Sequence, residues 1–105
     1  MKLRKEDLEC IAKLKQETPF SGMSRRVSDS EEYRLRVLGR GEMAYYQLNE
    51  RALLFELLAG QGIVFAKSIR YWDNGRRVTQ EEKAVLIQRL EEYLRSLGAP
   101  HFTVV

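Results

Sequence analysis

The segment from Thr79 to Gly98 constrains the fold most, because it carries both the start and the stop signals of one long helix. Thr79 with Glu82 three residues later forms a capping box, in which each side chain satisfies a backbone N–H of the first turn. Gly98 stands where a left-handed residue ends a helix, and Pro100 follows it. The apolar stripe of this helix consists of Ala84, Ile87, Leu90, Leu94 and Leu97. The sequence therefore predicts a long C-terminal helix that packs on one face of a sheet.

Residues 32–38 alternate between apolar and charged side chains, which predicts a half-buried strand. Turns that contain glycine or asparagine separate this segment from three further predicted strands, at residues 43–48, 52–58 and 63–72. Residues 46–59 also have high helix propensity, so a helix remains an alternative to strand–turn–strand there. We favour strands because the glycine turns on both sides are short.

The two ends of the chain complete the predicted architecture. Residues 4–17 predict an N-terminal helix, residues 18–31 a loop without periodicity, and residues 101–105 either a short fifth strand or a loose tail. We therefore expect an α+β fold over residues 1–105 as a single domain. It consists of an N-terminal helix, an antiparallel four-stranded meander, and the long C-terminal helix packed on one sheet face.

The composition favours a cytoplasmic protein without disulfides. The chain has 105 residues, 44% of them hydrophobic, which is enough for one core. No apolar run is longer than four residues, the length of residues 52–55, which is far too short to cross a membrane. The N-terminal residues lack the apolar core of a signal peptide. Cys10 is the one cysteine, so no internal disulfide can form.

Residues suited to catalysis are few, and we do not expect an enzyme. The one histidine, His101, lies near the end of the chain, and a single cysteine far from it makes no metal or nucleophile cluster. The pattern G-x-G-x-x-A at residues 39–44 resembles a dinucleotide-binding motif, but a chain of this length has no room for the rest of that fold. We therefore predict no catalytic residue, no metal and no cofactor.

The positive charge is distributed unevenly. The net charge is +3, and the basic excess falls in residues 25–40 and residues 67–77. Aromatic residues and arginines together are typical of protein interfaces, which makes one cluster the predicted partner-binding site: Arg70, Tyr71, Trp72, Arg76 and Arg77. Trp72 could instead pack beneath the second helix as a core residue. The alternative is a nucleic-acid-binding or regulatory protein with a basic face made of Arg25, Arg26, Arg34, Arg36 and Arg40.

The order of features from Tyr45 to Gly98 resembles small immunity proteins of bacterial polymorphic toxin systems. The resemblance is carried by the hairpin YYQLNERALLFELLAG, the strand IVFAKSIRYW, the turn DNG and the capped helix TQEEKAVLIQRLEEYLRSLG. It implies a non-catalytic cytoplasmic protein that binds and occludes one cognate toxin, and a basic inhibitor would suit a toxin with an acidic face. We expect a monomer or a homodimer, no membrane association, and nucleic acid only as the alternative partner.

Overall fold

A computed structural model describes residues 4–99 and 101–105, and within these ranges the chain forms two α-helices and six strands. In chain order these are α1 Lys5–Lys15, β1 Met23–Ser28, β2 Glu31–Leu38, β3 Met43–Leu48, β4 Arg51–Leu58, β5 Ile63–Val64, α2 Gln80–Ser96 and β6 Thr103–Val104. The α+β class and both predicted helices are therefore confirmed.

The strands form one sheet in the order β1-β2-β3-β4-β5-β6. Neighbouring strands are antiparallel from β1 to β5, whereas β6 runs parallel to β5. The residue pairing is continuous across the middle of the sheet, where Leu35 lies opposite Tyr46 and Tyr46 opposite Leu53. The predicted antiparallel meander is thus partly correct, but the sheet is mixed and has six strands.

The prediction of a loop over residues 18–31 is wrong, because residues 23–28 form β1. Five of the six residues of this strand are exposed, so its sequence shows no apolar alternation. The strand conformation comes from pairing with β2, where Met23 lies opposite Leu35 and Arg26 opposite Glu32. The strand conformation of β1 therefore depends on its pairing with β2 and has no signal in its own sequence.

The predicted fourth strand at residues 63–72 is also wrong in its length. Only Ile63–Val64 pair with β4, and a 3₁₀ turn follows at Ala66–Ser68. The Ser68 hydroxyl donates to the Phe65 carbonyl at 2.6 Å and accepts from the N–H of Glu56 at 2.8 Å. These bonds turn the chain away from the sheet before it reaches Trp72.

Residues 46–59 form strand, turn and strand, so the helical alternative is wrong. Asn49 adopts a φ of 53° in the turn, which asparagine tolerates. In β4 the apolar side chains alternate between the two sheet faces, so both faces are covered. One face of the sheet carries Leu35, Tyr46, Leu53 and Phe55, and the other carries Tyr45, Ala52 and Leu54.

The two helices cover opposite faces of the sheet. Ile11 and Leu14 of α1 pack with Tyr45 and Leu54 on one face. On the other face, α2 contributes Leu86, Leu90, Tyr93 and Leu94 to the larger cluster. No helix within residues 4–99 and 101–105 has the length and apolar character needed to cross a membrane.

The ends of α2 match the prediction, but its buried stripe is shifted. The Thr79–Glu82 capping box is present, and Gly98 has a φ of 90°. Pro100 lies outside the described residues. Ala84 is exposed and Leu97 is 60% exposed, so neither belongs to the core. The predicted Leu90 and Leu94 are buried in the core and Ile87 packs against it, while Leu86 and Tyr93 complete the contact with the sheet.

The C-terminal residues form β6, so the predicted alternative of a short strand is correct and that of a loose tail is wrong. The N–H of Thr103 donates to the Gly62 carbonyl at 2.7 Å, and that of Val105 to the Val64 carbonyl at 3.0 Å. The N–H of Ala66 in turn donates to the Val105 carbonyl at 2.9 Å. The last described residue therefore takes part in the sheet.

Candidate binding surface

Residues 70–78 form a short hairpin, which we call the 70–78 hairpin. The N–H of Val78 donates to the Arg70 carbonyl, and the N–H of Trp72 donates to the Arg76 carbonyl, both at 2.8 Å. Gly75, with a φ of 86°, closes the turn, as the sequence DNG predicts. Tyr71 and Arg77 lie opposite each other in an antiparallel bridge, which places their side chains on the same side of the hairpin.

Asp73 holds the turn of this hairpin against the rest of the molecule. Its N–H donates to the Ala52 carbonyl at 2.8 Å, and its carboxylate accepts from the Ala52 N–H at 3.1 Å. The same carboxylate forms an ion pair with Lys15 at the end of α1. The hairpin is therefore fixed to both β4 and α1.

Trp72 lies in the core beneath the hairpin, with 1% of its surface exposed. Its indole Nε1–H donates to the Glu82 carboxylate at 3.2 Å. The Arg51 guanidinium covers the ring at 4.4 Å from its centroid, and the Tyr46 ring lies 6.0 Å away. This buried ring offers no surface to a partner, so Trp72 supports the hairpin instead of forming part of an interface.

Glu82 connects this tryptophan to the start of α2. Its carboxylate accepts from the N–H of Thr79 at 2.8 Å and from Arg51 at 2.8 Å, in addition to the indole. Burial alone would raise the pKa of Glu82, but these hydrogen bonds outweigh burial, and the pKa lies below its ordinary value. The carboxylate is thus ionised and fully engaged at neutral pH.

The exposed part of the hairpin is basic. Arg70, Arg76 and Arg77 are exposed, and Tyr71 is half-buried beside Arg77. Lys67 precedes the hairpin and is also exposed; its carbonyl accepts from the Arg70 Nε–H at 2.7 Å. These side chains, which we call the basic hairpin surface, are Lys67, Arg70, Tyr71, Arg76 and Arg77. Four of the five predicted site residues therefore belong to it.

The alternative set of arginines is not brought together. Arg25 lies 3.6 Å from Glu92 of α2, on the α2 face of the sheet. Arg36 pairs with Glu17 at 2.7 Å, beyond the end of α1, on the other face. Two sheet faces therefore divide this set, and carboxylates of the same chain neutralise its members on both.

Two of the remaining three arginines of that set contact side chains of the same chain, and the third lies in a turn. Arg26 pairs with Glu32 at 3.3 Å, and the Arg34 guanidinium lies 5.1 Å from the centroid of the Phe20 ring. Arg40 is exposed in the turn between β2 and β3. The structure therefore provides no basic face that includes all five of these residues.

Sequence reasoning missed a partly buried arginine on α2 that contacts β2 and β3. Arg89, with 13% of its side chain exposed, donates to the Tyr46 hydroxyl at 2.8 Å and pairs with Glu31. Its guanidinium also lies 4.3 Å from the centroid of the Tyr33 ring. Nothing in the sequence distinguishes Arg89 from the exposed charges of the helix. These contacts hold the guanidinium against β2 and β3, which indicates a structural role.

An open groove of about 400 Å³ lies between α1 and the end of β2. It is lined by three glutamates, Lys13, Arg36 and the half-buried Cys10, with Leu14 and Leu38 at its base. Within residues 4–99 and 101–105, no three histidine, cysteine or acidic side chains are grouped as metal ligands would be. The charges in the groove are mixed, and no arrangement there matches a nucleophile with its base.

Comparison of the chain with protein families, with curated proteins and with solved structures gives no match.

Proposed function

We propose that the chain is a small non-catalytic binding protein, and that the basic hairpin surface is its contact with a protein partner. The observation that carries this proposal is the fixed hairpin. Its turn is bonded to Ala52 and Lys15, and its indole is buried beneath, while Arg76 and Arg77 remain exposed. A surface that is already held in one conformation loses little entropy on binding, which favours affinity.

The resemblance to immunity proteins of bacterial polymorphic toxin systems gives the proposal a specific form. In that form the partner is a cognate toxin domain, and the protein blocks it by occlusion in the cytoplasm. Arg70, Tyr71, Arg76 and Arg77 have the composition of interface hot spots, in which arginine and tyrosine are enriched. The function would require no catalytic side chain, cofactor or metal.

The nucleic-acid alternative is less well supported. Binding of single-stranded nucleic acid without a known motif relies on exposed aromatic rings beside basic residues. Trp72 and Tyr46 are buried, each with 1% exposed surface, and Arg25, Arg26 and Arg36 are each near a carboxylate of the same chain. The protein-binding function therefore fits the distribution of charge better.

The test is affinity capture from the native cytoplasm with three forms of the protein, each washed at low and at high salt. The forms are the wild type, R76A/R77A, and R25A/R26A as a control that removes an equal charge from adjacent exposed residues. The affinity tag belongs at the N-terminus, because the backbone of Val105 is hydrogen-bonded within the sheet. Any captured protein is then purified and its activity is measured with and without each form.

We expect one protein to be captured at high salt by both the wild type and R25A/R26A. The R76A/R77A variant should not capture it. The purified partner should be inhibited by the two binding forms only. Retention of nucleic acid at low salt alone would contradict the proposal, because binding to phosphates weakens steeply as salt is added. A captured protein that is not inhibited would contradict the immunity-type function.

A further inference from the structure

Three cationic residues of the basic hairpin surface form no ion pair with a carboxylate among the residues that the structure describes: Lys67, Arg76 and Arg77. Eight ion pairs are formed among residues 4–99 and 101–105, and none of them includes any of these three. The one acidic residue in this stretch of sequence, Asp73, is already paired with Lys15. The positive charge of Lys67, Arg76 and Arg77 is therefore left for an external anion.

From this distribution we infer that the ligand of the basic hairpin surface is a carboxylate-rich segment of a protein, held by Arg76 and Arg77. This inference rests on the proposed function and specifies the chemistry of the partner. Two adjacent exposed guanidinium groups can each bind a carboxylate with two parallel hydrogen bonds, which a lysine cannot do.

Three features favour carboxylates of a protein over the phosphates of a nucleic acid. The surface is short, because it is confined to residues 67–77, whereas a nucleic-acid backbone is followed by an extended basic groove. The indole of Trp72 is buried beneath it and cannot stack on a base. Beyond the hairpin, Arg51 is bonded to Glu82 and does not extend the basic surface. A short basic surface on a fixed hairpin matches a short acidic segment.

The direct test titrates ¹⁵N-labelled protein with a hexaglutamate peptide and, separately, with a single-stranded oligonucleotide of matched charge. Amide shifts caused by the peptide should concentrate in residues 67–78. Affinity for the peptide should fall about tenfold in R76A/R77A and less than about twofold in R25A/R26A. The double lysine variant, R76K/R77K, keeps the charge and should show an intermediate loss.

Several results would overturn the inference. One is that the peptide does not bind detectably, and another is that its amide shifts spread equally over Lys5, Arg40 and Lys83. A third is that both double-alanine variants lose the same affinity for the peptide. A fourth is that the oligonucleotide binds more tightly than the peptide at residues 67–78. Both arginines of each pair are exposed, so an unfolding curve of each variant separates loss of binding from loss of fold. If the peptide fails but the capture experiment still depends on Arg76 and Arg77, the carboxylate inference is wrong and the proposed function stands.

Discussion

Lys15 and Asp73 form an ion pair that connects the end of α1 to the turn of the 70–78 hairpin, across 58 residues of sequence. Both side chains are largely buried, at 30% and 15% exposed. Because the Asp73 carboxylate also accepts from the Ala52 N–H, a single carboxylate joins a helix, a strand and the basic hairpin. The position of the candidate binding surface therefore depends on this residue.

Replacing Asp73 should cost more stability than replacing Lys15. D73A removes the ion pair and leaves the Ala52 N–H without its acceptor, so we expect a loss of about 1–3 kcal/mol in the free energy of unfolding. K15A leaves that hydrogen bond in place and should cost about 0.5–1 kcal/mol. Urea unfolding of each variant measures both, with D29A at an exposed turn as the control. Equal losses in D73A and K15A would contradict this order.

The strands that face the core on at least one side could be predicted from the sequence. In β2 the burial of alternate side chains produces the apolar periodicity that identifies a strand. In β3 and β4 consecutive residues are buried on both faces, so the sequence predicts these strands from the short turns beside them. β1 has no buried face, so its strand conformation depends on pairing with β2 and leaves no pattern in its own residues. The stretch from Ile63 to Trp72 has apolar residues at strand spacing, but the 3₁₀ turn at Ala66–Ser68 interrupts it.

The candidate site was predictable in composition but not in geometry. The clustering of Arg70, Arg76 and Arg77 is visible in the sequence, whereas the burial of Trp72 depends on α2 and on Arg51 from a distant strand. The pairing of Asp73 with Lys15 depends equally on contacts far apart in the chain. Long-range ion pairs of this kind have no local signal, so the charge that remains unpaired could be assigned only from the structure.

Gly62 and Gly60 lie two residues apart and should respond very differently to alanine. A Cβ on Gly62 would lie 1.7 Å from the His101 carbonyl oxygen, and the φ of Gly62 is 67°. A Cβ on Gly60 would meet nothing within 4 Å. We expect G62A to cost about 1–3 kcal/mol or more and to release β6, because the backbone strain and the steric clash add.

Hydrogen exchange at the amides of Thr103 and Val105, with urea unfolding, measures this effect. Both amides should lose protection in G62A, since both donate to the backbone of residues 62–64. G60A is the matched control and should leave the exchange rates unchanged. Protected amides in G62A would show that β6 does not depend on the close approach at Gly62.

Arg89 and Arg95 lie on the same helix and each pairs with a glutamate, but their burial differs. Arg89 has 13% of its side chain exposed and Arg95 has 72%. R89A would leave the Tyr46 hydroxyl and Glu31 without their partner, so we expect a loss of about 2–4 kcal/mol. R95A removes an exposed pair one turn apart and should cost about 0.3–0.5 kcal/mol. Thermal and urea unfolding of both variants measure the difference, and similar losses would contradict a structural role for Arg89.

Glu82 should make the stability of the fold depend on pH in the acidic range. Its pKa lies below the ordinary value of 4.5, because hydrogen bonds from Thr79, Trp72 and Arg51 outweigh the effect of burial. A carboxyl group whose pKa is lower in the folded state stabilises the fold above its unfolded pKa. That stabilisation is lost as the pH falls through the folded pKa, since both states then bind the proton.

The corresponding experiment compares the wild type with E82Q by urea unfolding from neutral pH to about pH 3. At neutral pH the wild type should be more stable by about 1–3 kcal/mol, because the amide weakens the hydrogen bonds to the indole, the Arg51 guanidinium and the helix cap. This difference should shrink as the pH falls below 4.5. E81Q, at an exposed neighbouring position, serves as the control and should differ from the wild type by less than about 1 kcal/mol. If the difference in the free energy of unfolding between wild type and E82Q stays constant over this pH range, the contribution of Glu82 does not depend on the ionisation of its carboxyl group.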